Sequence, residues 1–185
     1  MGIYYDRATL WHLVNVTSAP FAVYRIDTLG NILSQFRANT TAYALGLCRV
    51  GDSIFIATYY PTPERVNVFD TAGNYGRSFF LSNNERCQGI DYDPNSKSFW
   101  VWGSPGSGGI VNINICDRNG TVCKAIPISG GFWTYCGSID WNYYPYRVWY
   151  AERQGDQFCY CAVDTIANTG SILARFSSPV LYPRG

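Results

Sequence analysis

The sequence predicts an all-β fold made of one four-stranded unit repeated four times. Three observations carry that expectation. Of 185 residues, 17% are aromatic, 18 are Gly and 9 are Pro, a mixture that favours strands broken by turns. Several stretches alternate with period 2, and none of any length repeats near 3.6 residues. The chain also matches itself at steps of 44, 43 and 49 residues, read from Ile3 to Leu47, Ile90 and Ile139,.

Each unit opens on a small residue followed by an apolar one: Gly2-Ile3, Gly46-Leu47, Gly89-Ile90 and Ser138-Ile139. A short first strand and a polar or Pro-containing turn follow. The second strand then places an aromatic at a matching position, Trp11, Phe55, Trp100 and Trp149, each preceded by an apolar residue. After a variable loop, the third strand ends in Asp27, Asp70, Asp117 or Asp164. In three units a Gly stands three residues later, at Gly30, Gly73 and Gly120. An Asp capping a type I turn, with Gly in the left-handed position, suits so short a hairpin loop. The fourth strand ends at Gln35-Phe36, Phe79-Phe80, Ala125-Ile126 and Arg175-Phe176.

Four strands per unit at this repeat length describe a β-propeller blade. A blade has two apolar faces and needs neighbours to bury them. The expected architecture is one domain over 1–185, with blades at about 2–44, 45–87, 88–136 and 137–185. The blade-to-blade core is expected to hold Trp11, Phe55, Trp100 and Trp149. Gly185 falls where a fifth opening Gly would stand, so both ends lie at one phase of the repeat. Three arrangements are open: a closed four-blade ring, part of a larger propeller, or two copies paired. The closed ring is the first expectation, because an open arc exposes two apolar faces.

The segment Arg65-Val-Asn-Val-Phe-Asp-Thr-Ala-Gly-Asn-Tyr-Gly-Arg-Ser-Phe79 resembles the second half of an NHL-type repeat. Gly89-Ile-Asp-Tyr-Asp-Pro94 and Phe99-Trp-Val-Trp102 resemble the first half. The resemblance spans all four units and implies a propeller. It implies no single function, because such propellers serve as enzymes, sensors and binding platforms.

Composition narrows the function. Charged residues are 15%, hydrophobic residues 47%, and the net charge is +1. A disordered chain is excluded, nucleic acid is not expected as a partner, and no apolar run is long enough for a membrane-spanning helix. The seven Cys include Cys87 and Cys136 at equivalent positions and Cys116 and Cys123 flanking one turn. A plain two-residue turn opposes those last two. A three-residue loop with a bulge sets Cys116 against Val122, with the two sulfurs on opposite faces. An odd count leaves a free thiol or an intermolecular bond. His12 is the only histidine and there is no Cys-x2-Cys pair, so no zinc site is expected. Sequons at Asn15, Asn39 and Asn119, with disulfides, lean towards an extracellular glycoprotein on a virion or cell surface, although residues 1–20 lack the pattern of a signal peptide.

No nucleophile elbow, phosphate loop or zinc-protease motif occurs, and no cofactor is expected. Asp91, Asp140 and Asn142 near the channel are the candidates for a calcium-dependent, lactonase-like site. The loops joining strands two to three and four to one gather Tyr43, Tyr59, Tyr60, Trp133, Tyr135 and Tyr182 with Arg37, Glu85, Arg86, Glu152 and Arg153. Tyr and Trp mixed with Arg favour recognition. The expected function is non-enzymatic binding of a glycan or protein through Tyr59, Tyr60, Trp133, Tyr135, Arg86, Glu152 and Arg153. Homo-oligomerisation, or a structural role in an assembly, is a further expectation.

Overall fold

A computed structural model describes residues 2–6, 8–16, 19–38, 43–60, 64–103, 111–131, 134–152 and 157–177. Among them are sixteen strands and no helix. The first unit holds β1 (Gly2–Tyr5), β2 (Leu10–Val16), β3 (Ala19–Ile26) and β4 (Ile32–Arg37). The second holds β5 (Tyr43–Val50), β6 (Ser53–Tyr60), β7 (Arg65–Asp70) and β8 (Tyr75–Phe79). The third holds β9 (Gly89–Asp93), β10 (Ser98–Gly103), β11 (Val111–Cys116) and β12 (Val122–Ser129). The fourth holds β13 (Thr134–Asp140), β14 (Tyr146–Glu152), β15 (Gln157–Asp164) and β16 (Thr169–Ser177).

Within each unit the strands pair antiparallel in chain order, giving four consecutive meanders. The first two meanders are separate four-stranded sheets. The third and fourth join into one eight-stranded sheet, because β12 pairs with β16 in parallel through Ile128↔Gly170 and Ser129↔Ser171. This departs from four separate sheets, and Gly170 allows it. A Cβ there would lie 2.2 Å from the end of the Ile128 side chain and 3.0 Å from Pro127 O, so glycine eases the close approach of the outer strands.

The expected hairpin chemistry is present. Asp27 Oδ1 accepts the N–H groups of Leu29 and Asn31, Asp70 Oδ1 those of Ala72 and Asn74, and Asp117 Oδ1 those of Asn119 and Thr121. Gly30, Gly73 and Gly120 take φ of 91°, 90° and 85°, the left-handed region that glycine enters without steric cost. In the fourth unit Asp164 caps Ile166 and Ala167, and Asn168 takes the left-handed position at φ 58°. The longer loop therefore uses the residue type next best suited to that conformation. The turn at Gly120 also seats the third unit on the second. Ser82 N–H donates to Gly120 O at 2.9 Å, and Val122 N–H donates to Ser82 Oγ at 2.9 Å.

The opening strands gather at the centre, β1 on β5, β5 on β9 and β9 on β13, with β13 also reaching β5. A Cβ on Gly46 would stand 2.7 Å from Gly89 Cα, so the opening glycines permit backbone-to-backbone contact where the units crowd.

Three apolar clusters fill the junctions. Trp11 and Leu13 of the first unit meet Ile54 and Ile56 of the second. Phe55 and Ala57 of the second meet Phe99 and Val101 of the third. Trp100 and Trp102 of the third meet Val148 and Tyr150 of the fourth. The repeated aromatic thus faces the following unit, and the residue before it faces the preceding one. Trp11, Phe55 and Trp100 are 1%, 4% and 2% exposed. Trp149 corrects the expectation of four buried aromatics. It is 44% exposed, because no following unit covers its sheet face among the described residues.

The expected disulfides also need correction. Cys48, Cys87, Cys116, Cys123, Cys159 and Cys161 are free thiols. At the 117–120 turn, Cys116 pairs with Val122 across a bulge. Cys116 is buried, while Cys123 is exposed and donates to Ile115 O. This is the bulged register, in which the two sulfurs point to opposite faces. Burial pushes the Cys116 and Cys161 thiols up to about 12, which leaves them protonated and inert.

Candidate functional site

Two confluent cavities run along the centre, about 290 Å³ and 230 Å³, sharing Ile3, Leu47, Ile90, Gly137 and Ser138 as walls. The larger is the more polar, with Tyr4, Tyr5, Asp91, Tyr92 and Trp141 around it. The smaller is walled by Trp149, Ala151 and Phe158 of the fourth unit and by Ile3 of the first.

Asp91 is the chemically distinctive residue. It lies on β9, is 8% exposed, and accepts hydrogen bonds from Tyr92 N–H at 2.8 Å and Ile139 N–H at 3.0 Å. Burial raises its carboxyl to about 6, against the pull of those two donors, and the neighbouring Asp93 charge adds to the rise,. The bond to Ile139 ties β9 to β13, so Asp91 clamps the third unit to the fourth at the cavity wall. Burial also raises the Tyr4 phenol, helped by Cys48, Asp91 and Asp6.

The other calcium candidates stand differently. Asp140 Oδ1 accepts from both the backbone and the side-chain amide of Asn142. A calcium ion takes six to eight oxygen ligands. Among the described residues no group of three His, Cys, Asp or Glu is placed to hold a metal. His12 is half-buried, and burial holds its imidazole below the usual range.

Of the predicted recognition residues, Trp133 and Arg153 lie outside the described residues, as does Tyr182. Tyr59, Tyr60 and Tyr135 are described by their backbone alone. The register places the backbone of some of the others. Tyr60 pairs with Tyr43, whose ring is 49% exposed, and Thr134, beside Trp133 and Tyr135, pairs with Glu152. Arg86 pairs with Glu64 at 3.5 Å, and burial raises the Glu64 carboxyl, partly offset by that guanidinium. Glu85 accepts from Asn112 Nδ2 at 2.7 Å and Asn114 Nδ2 at 2.8 Å, fixing this segment on β11. Glu152, read from sequence as a surface residue, is 2% exposed and pairs with Arg175 at 3.4 Å.

Sequence reasoning missed two features. One is Asp6, whose Oδ2 receives Trp11 Nε1–H at 3.0 Å and Arg49 at 2.6 Å. This ties the first unit to the second, and Arg25 and Arg49 lie over the Trp11 ring, each 5.6 Å from its centroid. The other is the free face of the fourth unit. Trp149 packs on Tyr160 at 4.5 Å and on Phe176 at 5.7 Å, and Phe158 is 45% exposed beside them. The alternation of aromatics on β14–β16 carried that signal, but it read as core.

No family model matches the chain, and no curated protein matches it. Its fold does match solved structures. A protein of unknown function from Bacteroides caccae superposes with a TM-score of 0.56 at 13% identity, over 96% of this chain and 60% of its own. A nidogen/laminin complex gives 0.57 at 9% identity, over 96% and 80%. A periplasmic gluconolactonase of Pseudomonas aeruginosa gives 0.50 at 14% identity, over 100% and 74%. The chain thus spans about three-fifths of the Bacteroides protein it resembles. At such identities the likeness is one of fold alone, and the fold it shows is of the β-propeller type.

Proposed function

We propose that the four meanders are four blades of NHL type, and that the chain is a non-enzymatic recognition module. It binds a protein or a glycan through the loop end bearing Tyr43, Tyr59, Tyr60, Trp133, Tyr135, Arg86 and Arg153, with Glu152 holding the platform. The observation that carries this reading is the register, which sets exposed Tyr43 opposite Tyr60 and brings Thr134 to Glu152 at the same end. Aromatic side chains give large contact area at low entropic cost. The nidogen/laminin likeness supports a protein ligand. The sequon at Asn119, in an exposed turn, supports an extracellular or surface-exposed setting. The test is retention on immobilised glycans and on a panel of extracellular proteins. Tyr59→Ala with Tyr60→Ala should abolish retention without lowering the melting temperature, and unchanged retention overturns the reading.

A second reading rests on Asp91. A buried carboxyl raised into the working range beside tyrosines suits acid–base catalysis on a small ester, and the gluconolactonase likeness fits it. Lactone hydrolysis lost in Asp91→Ala would establish it over the first.

A further inference from the structure

The geometry points to the free face of β14–β16 as one half of a junction whose other half is the free face of the first unit in a second copy of this chain. The three internal junctions define what covers such a face. In each, the repeated aromatic of one unit packs on the residue one step earlier in the next unit: Trp11 with Ile54, Phe55 with Phe99, and Trp100 with Val148. Trp149 is the fourth aromatic of this series and is 44% exposed. The missing counterpart is a sheet face like that of Ile54, Phe99 and Val148. Among the described residues one such face is uncovered, that of Leu10 in the first unit. The register puts Tyr5 and Ile26 on the same face as Leu10, and Ile3 opposite His12 alongside.

The two faces match in chemistry and in size. Trp149, Phe158 and Phe176 are 44–48% exposed, and Ile3, Tyr5 and Ile32 are 57–62% exposed. Taking roughly 200 Å² for a large side chain, each face offers about 300 Å² of apolar surface. A two-fold pair forms the junction twice, since each copy gives its fourth unit to the partner's first. It buries about 1,200 Å² from these side chains alone, the lower bound of a stable interface. Left bare, each face is about the size of the largest apolar patch on a typical monomer, which is often functional. Within one chain the two faces leave a gap: Ile3, Trp149 and Phe158 wall the 230 Å³ cavity between them.

The test is the mass in solution, by sedimentation or light scattering, of the purified chain. The expected value is twice 20.8 kDa. Trp149→Glu and Ile3→Glu should each halve the mass. An equimolar mixture of the two variants should recover the doubled mass at weaker affinity. One mixed junction then joins two mutated faces, and the other joins two intact ones. Rescue on mixing separates a fourth-on-first junction from packing of like on like. A monomer at all concentrations overturns the proposal, as does loss of pairing in Trp149→Glu with Ile3→Glu unaffected, which would mean like packs on like. A doubled mass that survives both variants also overturns it. Phe176→Glu replaces Trp149→Glu if that variant fails to show the wild-type circular dichroism.

Discussion

The two faces of the fourth unit carry the same kind of residue and live in opposite surroundings. On one face Val148 and Tyr150 lie buried against Trp100 and Trp102 of the third unit. On the other, Trp149 stands one residue away on the same strand and is 44% exposed. Alternation along β14 puts large apolar residues on both faces, and among the described residues a packed neighbouring unit covers one face and not the other. Burial in this fold is therefore a property of the junction, and a residue's repeat position determines only which junction it serves.

The sharpest way to break that comparison is to truncate the same repeat position on either side of it. Trp100 meets Trp141 and Tyr146 edge-on, both at 5.2 Å. Trp100→Ala should cost about 3–5 kcal/mol, the usual range for an aromatic lost from a close-packed core. Trp149→Ala should cost under about 1 kcal/mol when measured dilute enough to be monomeric. Urea unfolding followed by circular dichroism gives both values. Equal costs would mean that Trp149 is covered within the chain.

Crowding at the centre offers the next largest effect. Gly46→Ala puts a Cβ 2.7 Å from Gly89 Cα and 2.8 Å from Ile90 N, both backbone atoms that cannot swing aside. The strands β5 and β9 must separate, at about 1–3 kcal/mol for overpacking. Gly51→Ala, with nothing within 4 Å of its Cβ but φ of 59°, tests backbone strain alone. A melting temperature lowered more in Gly46→Ala than in Gly51→Ala locates the cost in the junction.

Much of this was legible in the sequence because it repeats. The opening glycines, the second-strand aromatics and the Asp turns recur at fixed phase. Each recurrence reports a local need: close approach, a junction, or a left-handed residue. The bulged register at Cys116 was one of two that followed from the Asn119-Gly120 turn alone. What stayed hidden was whatever depends on two units at once. Asp6 reaches Arg49 across 43 positions, and Asp91 reaches Ile139 across 48. No periodicity announces such pairs. The parallel pairing of β12 with β16 was hidden for the same reason, since it depends on where Gly170 falls relative to Ile128. The exposure of Trp149 was hidden because the repeat shows which face a residue takes and is silent on whether a neighbour exists. The buried Glu152 was misread because a charge beside a loop looks solvated until Arg175 is brought to it.

A third variant tests whether the first junction depends on its charged tie as well as on its apolar cluster. Asp6→Asn removes the charge that Arg49 and the Trp11 indole share. The loss should be about 2 kcal/mol, in the range for hydrogen bonds to a charged group. Although burial works against ionisation, the bonds from Trp11, Thr9 and Ala8 hold the Asp6 carboxyl well below the usual carboxylate range. With the folded value depressed, its contribution is present above the unfolded value near about 4 and fades as pH falls below it. Wild type and variant should therefore converge in stability on acidification. A gap that stays constant down to acid would show that the tie is not ionic.

The smallest expected effect has the opposite sign and sits at the junction of the third and fourth units. Asp91 has its carboxyl raised to about 6 by burial, so the folded chain binds its proton more tightly than the unfolded one. Stability from this group is fully present below about 4 and is lost as pH rises through 6. Glu64, also raised by burial, adds to that slope. Asp91→Asn stays neutral throughout, and its amide oxygen still accepts one of the two N–H bonds. The variant's melting temperature should fall less than that of wild type between pH 4 and 7, by an amount on the order of 2–4 °C for each kcal/mol in a chain this long. Parallel profiles for the two proteins would mean that Asp91 titrates alike in the folded and unfolded chain, its two backbone donors balancing its burial. A wild type that gains on the variant as pH rises would mean that the donors outweigh burial, and the third junction would then resemble the first in holding its units together by charge.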